Sequence, residues 1–334
     1  IQMLPGVGYA EGSSGLNIRG GTPDQNLVLF DGFTLYNLDH FFGTFSSINS
    51  NVVKDIQIYK GGFDSRYGER LSGIIDITGK TGNKYSPKIN GGINLISGNL
   101  TAEIPFSENL TLVVGGRRSY ADIYSSYLVN AMLENQVEDV NSSNNNSIVK
   151  LKPGFYFYDY NAKLTFSKSE QEKMSVSVFG GKDFLASTGE GSLRQTYSNS
   201  NNDANWGNYG FSYSWIKQWR KGFFSNLQVG YSGYQNQYTE QTEVTTKKGK
   251  NTTITLFDTY EENILNDFSV SLKNEFALGL KNTVDFGFQT KYNEFTYLKN
   301  AGTDAYYSDI ANSSWLYSTF LQLNSQMVKN LTVK

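Results

Sequence analysis

Few residues in this chain could do chemistry on their own. There is one histidine, His40 in YNLDHFFGTF, and no cysteine. Disulfides, thiolate zinc sites and cysteine nucleophiles are therefore excluded. A lone imidazole has no second histidine or thiolate with which to hold a metal, and any serine triad would depend on that same ring. Glu138-Asp139 and Glu261-Glu262 pair carboxylates. Neighbours on a strand point to opposite faces, so neither pair can flank a sugar as a glycosidase requires, and both read as solvated loop or rim charge. No GxxxxGK[ST] occurs and no GxGxxG links a strand to a helix, so the glycine-rich stretches do not read as a nucleotide cradle. The expectation is a protein that is not an enzyme, with no cofactor and no metal.

Composition points to strands. The 334 residues include 33 Gly, 5 Pro, 23 Tyr, 22 Phe and 4 Trp, with Asn and Ser abundant, which suits strands and turns better than helices. A net charge of −2 and a pI near 5.6 offer no basic field for nucleic acid. Mean hydropathy is −0.43, and no run approaches the roughly 18 apolar residues of a membrane helix. A membrane β-barrel stays open, because its strands need apolar residues on one face only. The opening IQMLPGVG carries neither a basic start nor an apolar core of a secretory leader. A cytoplasmic protein or a processed start both fit that.

From about residue 88 the sequence alternates with period two. In YDYNAKLTF, Tyr158, Tyr160, Ala162, Leu164 and Phe166 oppose Asp159, Asn161, Lys163 and Thr165. In NTVDFGFQTKYNE, Val284, Phe286, Phe288 and Tyr292 oppose Asp285, Gln289, Lys291 and Asn293. SNLQVGYS, WGNYGFSYSW and FSVSLKNEF repeat the device. Short polar turns near 107–109, 167–173, 220–222, 279–282 and 328–330 alternate with long polar stretches at 119–153, 186–205, 241–253 and 299–312, the last group read as loops. This predicts about ten strands of an antiparallel meander with unlike rims. A soluble β-sandwich would also alternate, but its core favours Val, Ile and Leu over an aromatic face.

The first 80 residues differ. Short apolar runs, NLVLF at 26–30, KDIQIYK at 54–60 and GIIDIT at 73–78, are separated by glycine turns, predicting a compact α+β unit. Domain boundaries are placed at 1–80 and 81–334.

LPGV at 4–7, LNIRGG at 16–21, NLVLFDGFTLYN at 26–37 and VVKDIQIYKGGFDSRYGERLSGIIDITGK at 52–80 resemble, in order and spacing, the latter part of the plug domain of TonB-dependent outer-membrane transporters. GGRRSYADIY at 115–124 is similar to the early barrel of such proteins from Bacteroidetes-like bacteria. One departure is Ser72-Gly73-Ile74-Ile75-Asp76-Ile77, where the family usually has an asparagine in place of Asp76; no function is read into it. The resemblance implies a mainly β fold: a transmembrane antiparallel barrel of about 22 strands in the full-length protein, with a small α+β plug in its lumen. It implies that this chain is part of a longer polypeptide, residues 1–80 being the C-terminal part of the plug and 81–334 the incomplete N-terminal half of the barrel.

By the same resemblance the protein resides in the bacterial outer membrane and imports a scarce or bulky ligand such as a siderophore, vitamin, glycan or peptide. Its partners would be TonB with its inner-membrane energising complex, outer-membrane lipid and the transported ligand, with a surface lipoprotein or larger assembly as a further option; nucleic acid is not among them. The competing reading is a transporter-like barrel serving as a scaffold subunit or surface receptor. The plug motif and its lock comprise Arg19, Gly20, Gly21, Asp31, Gly32, Lys60, Gly61, Tyr67, Gly68 and Gly73. Arg19 would pair with carboxylates on the inner barrel wall, or else cap backbone carbonyls within the plug. Asp31-Gly32 shapes a turn in either case. Tyr36, His40, Phe41 and Phe42 are candidate ligand contacts, with packing against the barrel wall as the alternative.

Overall fold

The computed structural model describes residues 6–9, 15–41, 43, 45–68, 70–123, 148–193, 195–301, 306–328 and 331–333. Phe42, Glu138-Asp139 and the NSSNNNS segment at 141–147 lie outside the described residues.

The plug contains β1 (Val7–Tyr9), β2 (Leu16–Ile18), β3 (Asn26–Phe30), β4 (Phe33–Thr34), β5 (Asp39–His40), β6 (Phe45–Ser46), β7 (Val53–Tyr59) and β8 (Gly73–Gly79). Its helical pieces, among the described residues, are the 3₁₀ turns Pro23–Gln25 and Ser50–Val52. Four strands form a sheet in the order β4-β3-β8-β7, with β3 and β8 parallel and the other pairs antiparallel. The two central strands are buried on both faces, which is why NLVLF and GIIDITG carry near-continuous apolar runs. The edge strand β7 is largely exposed and mixes apolar with charged residues.

The wall is one antiparallel sheet of eleven strands in sequence order. They are β9 (Lys88–Ile93), β10 (Ser97–Pro105), β11 (Leu110–Ser119), β12 (Ile148–Ser169), β13 (Glu172–Leu193), β14 (Thr196–Arg220), β15 (Phe223–Lys248), β16 (Asn251–Leu278), β17 (Asn282–Ala301), β18 (Tyr306–Val328) and β19 (Leu331–Val333). The two faces follow the alternation. Tyr160, Leu164, Phe166, Phe211, Phe268, Phe286 and Phe288 are exposed on the outside, while Asp159, Lys163, Asn208, Asp267 and Lys291 are buried against the plug. An apolar outside and a polar lumen are what a barrel in lipid requires.

The polar stretches at 186–205 and 241–253, read from sequence as loops, are strand at Ala186–Leu193, Thr196–Asn205, Gln241–Lys248 and Asn251–Thr253. The β13–β14 ladder runs to the pair Leu193↔Thr196 and the β15–β16 ladder to Lys248↔Asn251. β16 has 28 residues, about 90 Å of extended chain, far more than the apolar band of a membrane barrel takes up. Beyond the lipid both faces meet water, so the backbone ladder continues while the side-chain contrast that marks a half-buried strand fades.

Plug and wall share a core. Phe30, Phe33, Ile18, Val28, Ile75 and Ile77 pack together with Phe179, which projects inward from β13. Phe30 and Phe33 meet edge-on at 5.6 Å, and Phe33 stacks with Phe179 at 6.2 Å. Phe33 is fully buried, worth about 2–3 kcal/mol. It fits because the wall residue beneath it is Gly210, where a Cβ would stand 2.2 Å from the Phe33 ring.

Candidate functional site

The site is the seam along which plug residues 31–46 meet the wall. It begins at the turn between β3 and β4. Phe30 pairs with Phe33, leaving Asp31-Gly32 as a two-residue loop with φ of +48° and +91°. Positive φ at both positions is what a type I′ hairpin turn demands, and Asp-Gly is among the few dipeptides that supply it readily. The turn presents the Asp31 carboxylate to the wall. It accepts from Lys163 Nζ on β12, from Ser177 Oγ on β13 at 2.9 Å and from the Gly79 backbone N–H at 3.0 Å. Gln228 on β15 donates to the Asp31 carbonyl at 2.8 Å. Both members of the Asp31–Lys163 pair are buried.

Contacts continue along the segment. The Thr34 N–H donates to Ser232 Oγ at 2.7 Å. Asn208 Oδ1 accepts from the N–H groups of Tyr36 and Asn37 at 3.1 and 3.0 Å, and its amide donates back to the Asn37 carbonyl. The Tyr36 hydroxyl donates to Asp267, which also lies 3.6 Å from Lys291. Polar and charged wall side chains on successive strands thus bond both the backbone and the side chains of the plug.

The far end of the seam is built around His40, which is 1% exposed. Its Nδ1–H donates to Asp183 at 2.8 Å, and its ring stacks on Phe157 at 4.1 Å. Nε2 lies 3.5 Å from Asp159, a charge contact without an aligned hydrogen bond. Burial opposes a charged imidazole, but the two carboxylates outweigh it and hold the His40 pKa above its ordinary 6.5. Arg117 bonds Asp159 at 2.6 Å and the Ser46 carbonyl at 2.6 Å, closing the cluster. The next residue, Phe41, donates its N–H to Asp183 at 3.2 Å and buries its ring against Phe155.

In this conformation His40 and Phe41 therefore face the wall rather than an open lumen, and Tyr36 spends its hydroxyl on Asp267. Of the four candidate ligand contacts, Phe42 lies outside the described residues. Arg19 is exposed, has φ of +53° and lies against Gly61. Among the described residues it makes no ion pair with the wall; the charged plug-to-wall contacts include Asp31–Lys163, His40–Asp183 and, at 3.9 Å, Lys80–Glu103. Gly20 and Gly21 follow Arg19, and Gly21 lies tight against Ser72. Gly73 lies against Ile18, and Lys60 is half-buried at the end of β7.

Tyr67, beside Gly68, is buried among Leu27 and Ile74 and donates to Asp76 at 2.8 Å. Burial, with the Asp76 charge beside it, pushes the Tyr67 phenol well above its ordinary value. Asp76, the family departure, is thus the acceptor of a buried phenol. Glu261 faces Lys299 while Glu262 accepts from Gln235 and Gln237, so the two carboxylates serve separate structural contacts. Among the described residues no group of three or more His, Asp or Glu could hold a metal.

The sequence singled out Asp31, Tyr36 and His40 but not their wall partners Lys163 and Ser177, Asn208, and Asp183. Their one available signal was charge or amide on the polar face of a wall strand.

Comparison with known proteins agrees with this geometry. A model described as the TonB-dependent receptor plug domain matches residues 1–74. No curated protein matches the chain in sequence. Among solved structures, the ferric-catecholate import receptor Fiu from E. coli K12 aligns with a TM-score of 0.55 at 10% identity, over 98% of this chain and 64% of that one. The ferric citrate transporter FecA in its unliganded form aligns with 0.52 at 14%, over 98% and 57%. The ferric yersiniabactin uptake receptor FyuA from Yersinia pestis aligns with 0.51 at 9%, over 98% and 59%. The chain thus spans less than two thirds of the length of each of these three structures. Residues 1–74 match the plug-domain family of TonB-dependent receptors, and the chain shares the plug-in-barrel fold of the three receptors above.

Proposed function

We propose that the protein imports a scarce or bulky ligand, a siderophore, vitamin, glycan or peptide, across the bacterial outer membrane, powered through TonB. The observation that carries this reading is the polar seam at 31–46. A plug meant to stay would be held by a continuous apolar interface. This one adds to its shared aromatic core a run of hydrogen bonds and ion pairs between a compact insert and a rigid wall, polar contacts that water can replace once the seam opens. A pull transmitted from the periplasm would break the seam and open a path. The three solved receptors described above are named for ferric citrate, ferric yersiniabactin and ferric catecholates, which makes iron complexes the first compounds to try.

The test is growth and uptake on a panel of iron complexes, cobalamin, glycans and peptides, in cells with and without the full-length gene and with and without active TonB. Loss of uptake of one ligand on removing either the gene or TonB is the expected result. Uptake unaffected by both, with the barrel co-purifying in a stable complex with a surface lipoprotein or other outer-membrane protein, would replace import with the scaffold reading.

A further inference from the structure

A cavity of about 380 Å³ lies between the plug sheet and the wall, on the side of the short turns. Lysines and an arginine dominate its charge. Lys54 and Arg66 enter from the plug, and Lys163, Lys173, Lys273 and Lys291 from the wall, against Asp31 and Asp76. Four of these cations have carboxylate neighbours: Lys163 has Asp31, Lys291 has Asp267, Lys273 has Asp285 at 3.3 Å and Arg66 has Asp64 at 3.8 Å. Lys54 and Lys173 differ. Among the described residues neither ammonium group has a hydrogen-bond or ion-pair partner, and Lys173 meets the repulsion of Lys54, Lys163 and Lys84 against the attraction of Asp31. The rest of the lining includes hydroxyls and amides such as Ser175, Ser214 and Asn226, groups that hydrogen-bond oxygens of either a free or a bound solute.

We propose that this chamber binds a small, multiply charged oxyanion, a polycarboxylate or a phosphate, between Lys54 and Lys173. Charge selects the class, since ammonium groups of like sign around one space are relieved by an anion whose oxygens reach both. Volume agrees, the cavity falling in the range of small-molecule sites. Because Lys54 belongs to the plug and Lys173 to the wall, the anion bridges them. Its binding and the seating of the plug are therefore linked: whatever moves β7 away from β13 separates the two lysines and lowers the affinity. The site stands on the chamber alone and holds whether or not the protein imports anything.

The experiment is isothermal titration of the purified full-length protein in detergent with citrate, with inorganic phosphate and with glucose as a neutral control. The expected result is saturable binding of at least one anion, none of glucose, weakening as salt rises, and at least about a tenfold loss of affinity in Lys54→Gln/Lys173→Gln. Binding of citrate alone assigns a carboxylate site, and of phosphate alone a phosphate site. A Lys54→Arg/Lys173→Arg variant keeps both charges and restores binding, which separates lost charge from lost structure. No binding of either anion to the wild type, or binding undiminished in the glutamine variant, overturns the proposal.

Discussion

Asp31 in the plug turn and Lys163 on β12 form a buried ion pair between residues 132 positions apart in the chain. The pair is not alone, since Ser177 and the Gly79 N–H share the same carboxylate. Desolvating two charges is costly unless their remaining bonds are filled, and here they are. Removing one member leaves the other buried without compensation.

Asp31→Asn is therefore expected to weaken plug docking by about 3–5 kcal/mol while leaving the barrel folded. Protease cleavage or cysteine labelling of introduced plug sites should rise, with heat-modifiable gel mobility of the barrel unchanged. Combining it with Lys163→Met should recover part of the loss, because the uncompensated ammonium is gone. A double variant no better than the single one would show the pair to be incidental.

Arg19→Ala should differ from Asp31→Asn in the same labelling assay. Arg19 is exposed and unpaired among the described residues and sits at φ +53°, a conformation that costs a residue with a side chain roughly 1–2 kcal/mol. Arg19→Gly is accordingly expected to match the wild type or stabilise the plug slightly. Plug release in Arg19→Ala comparable to that of Asp31→Asn would restore the wall-pairing role that the family resemblance gives this arginine.

His40 makes docking sensitive to pH. Its pKa in the seated plug lies above 6.5, so protonated His40 favours the docked form. That contribution is complete below pH 6.5 and is lost as pH rises through the folded value. Hydrogen exchange of the β5–β6 segment should accelerate with pH over that interval beyond the intrinsic chemical trend, and His40→Gln should remove the excess. An identical excess in His40→Gln would place the titration elsewhere.

Gly210→Ala tests the apolar half of the seam. The added methyl meets the rigid, fully buried Phe33 ring at 2.2 Å, so something must shift, at about 1–3 kcal/mol. The barrel strand itself tolerates alanine, so the expected signature is a loosened plug in an unaltered wall. Phe33→Leu in the same background should relieve it, and failure to do so would argue that the strain lies in β14.

Much of this was legible before any coordinates. Alternation assigned Asp159, Asn161 and Lys163 to one face and Tyr160 and Leu164 to the other, because lipid and lumen impose opposite demands on successive residues. Asp31-Gly32 announced its turn, since few dipeptides supply two positive φ values. What remained hidden has a physical cause in each case. The ends of β13 to β16 lie in water on both faces, so their side chains carry no contrast. The wall partners of Asp31 and His40 sit more than a hundred residues away, where no local spacing rule applies. Arg19 drew attention by its motif, yet the structure leaves it at the surface, and the burial of His40 and Phe41 follows from Phe155 and Phe157 facing inward at a height no periodicity specifies.

The parallel pairing of β3 with β8 also sets how the plug responds to mechanical load. Chain entering β3 at Asn26 and chain leaving β8 toward the wall at Gly79 depart from opposite ends of a five-pair ladder running from Asn26↔Gly73 to Phe30↔Ile77. Tension applied between them acts along the strands and stresses every rung together, rather than peeling rungs one at a time as in a hairpin. The two central strands form a clamp that holds until it fails as a whole. The weaker β1–β2 pair and the polar seam at 31–46 are the parts that give way first.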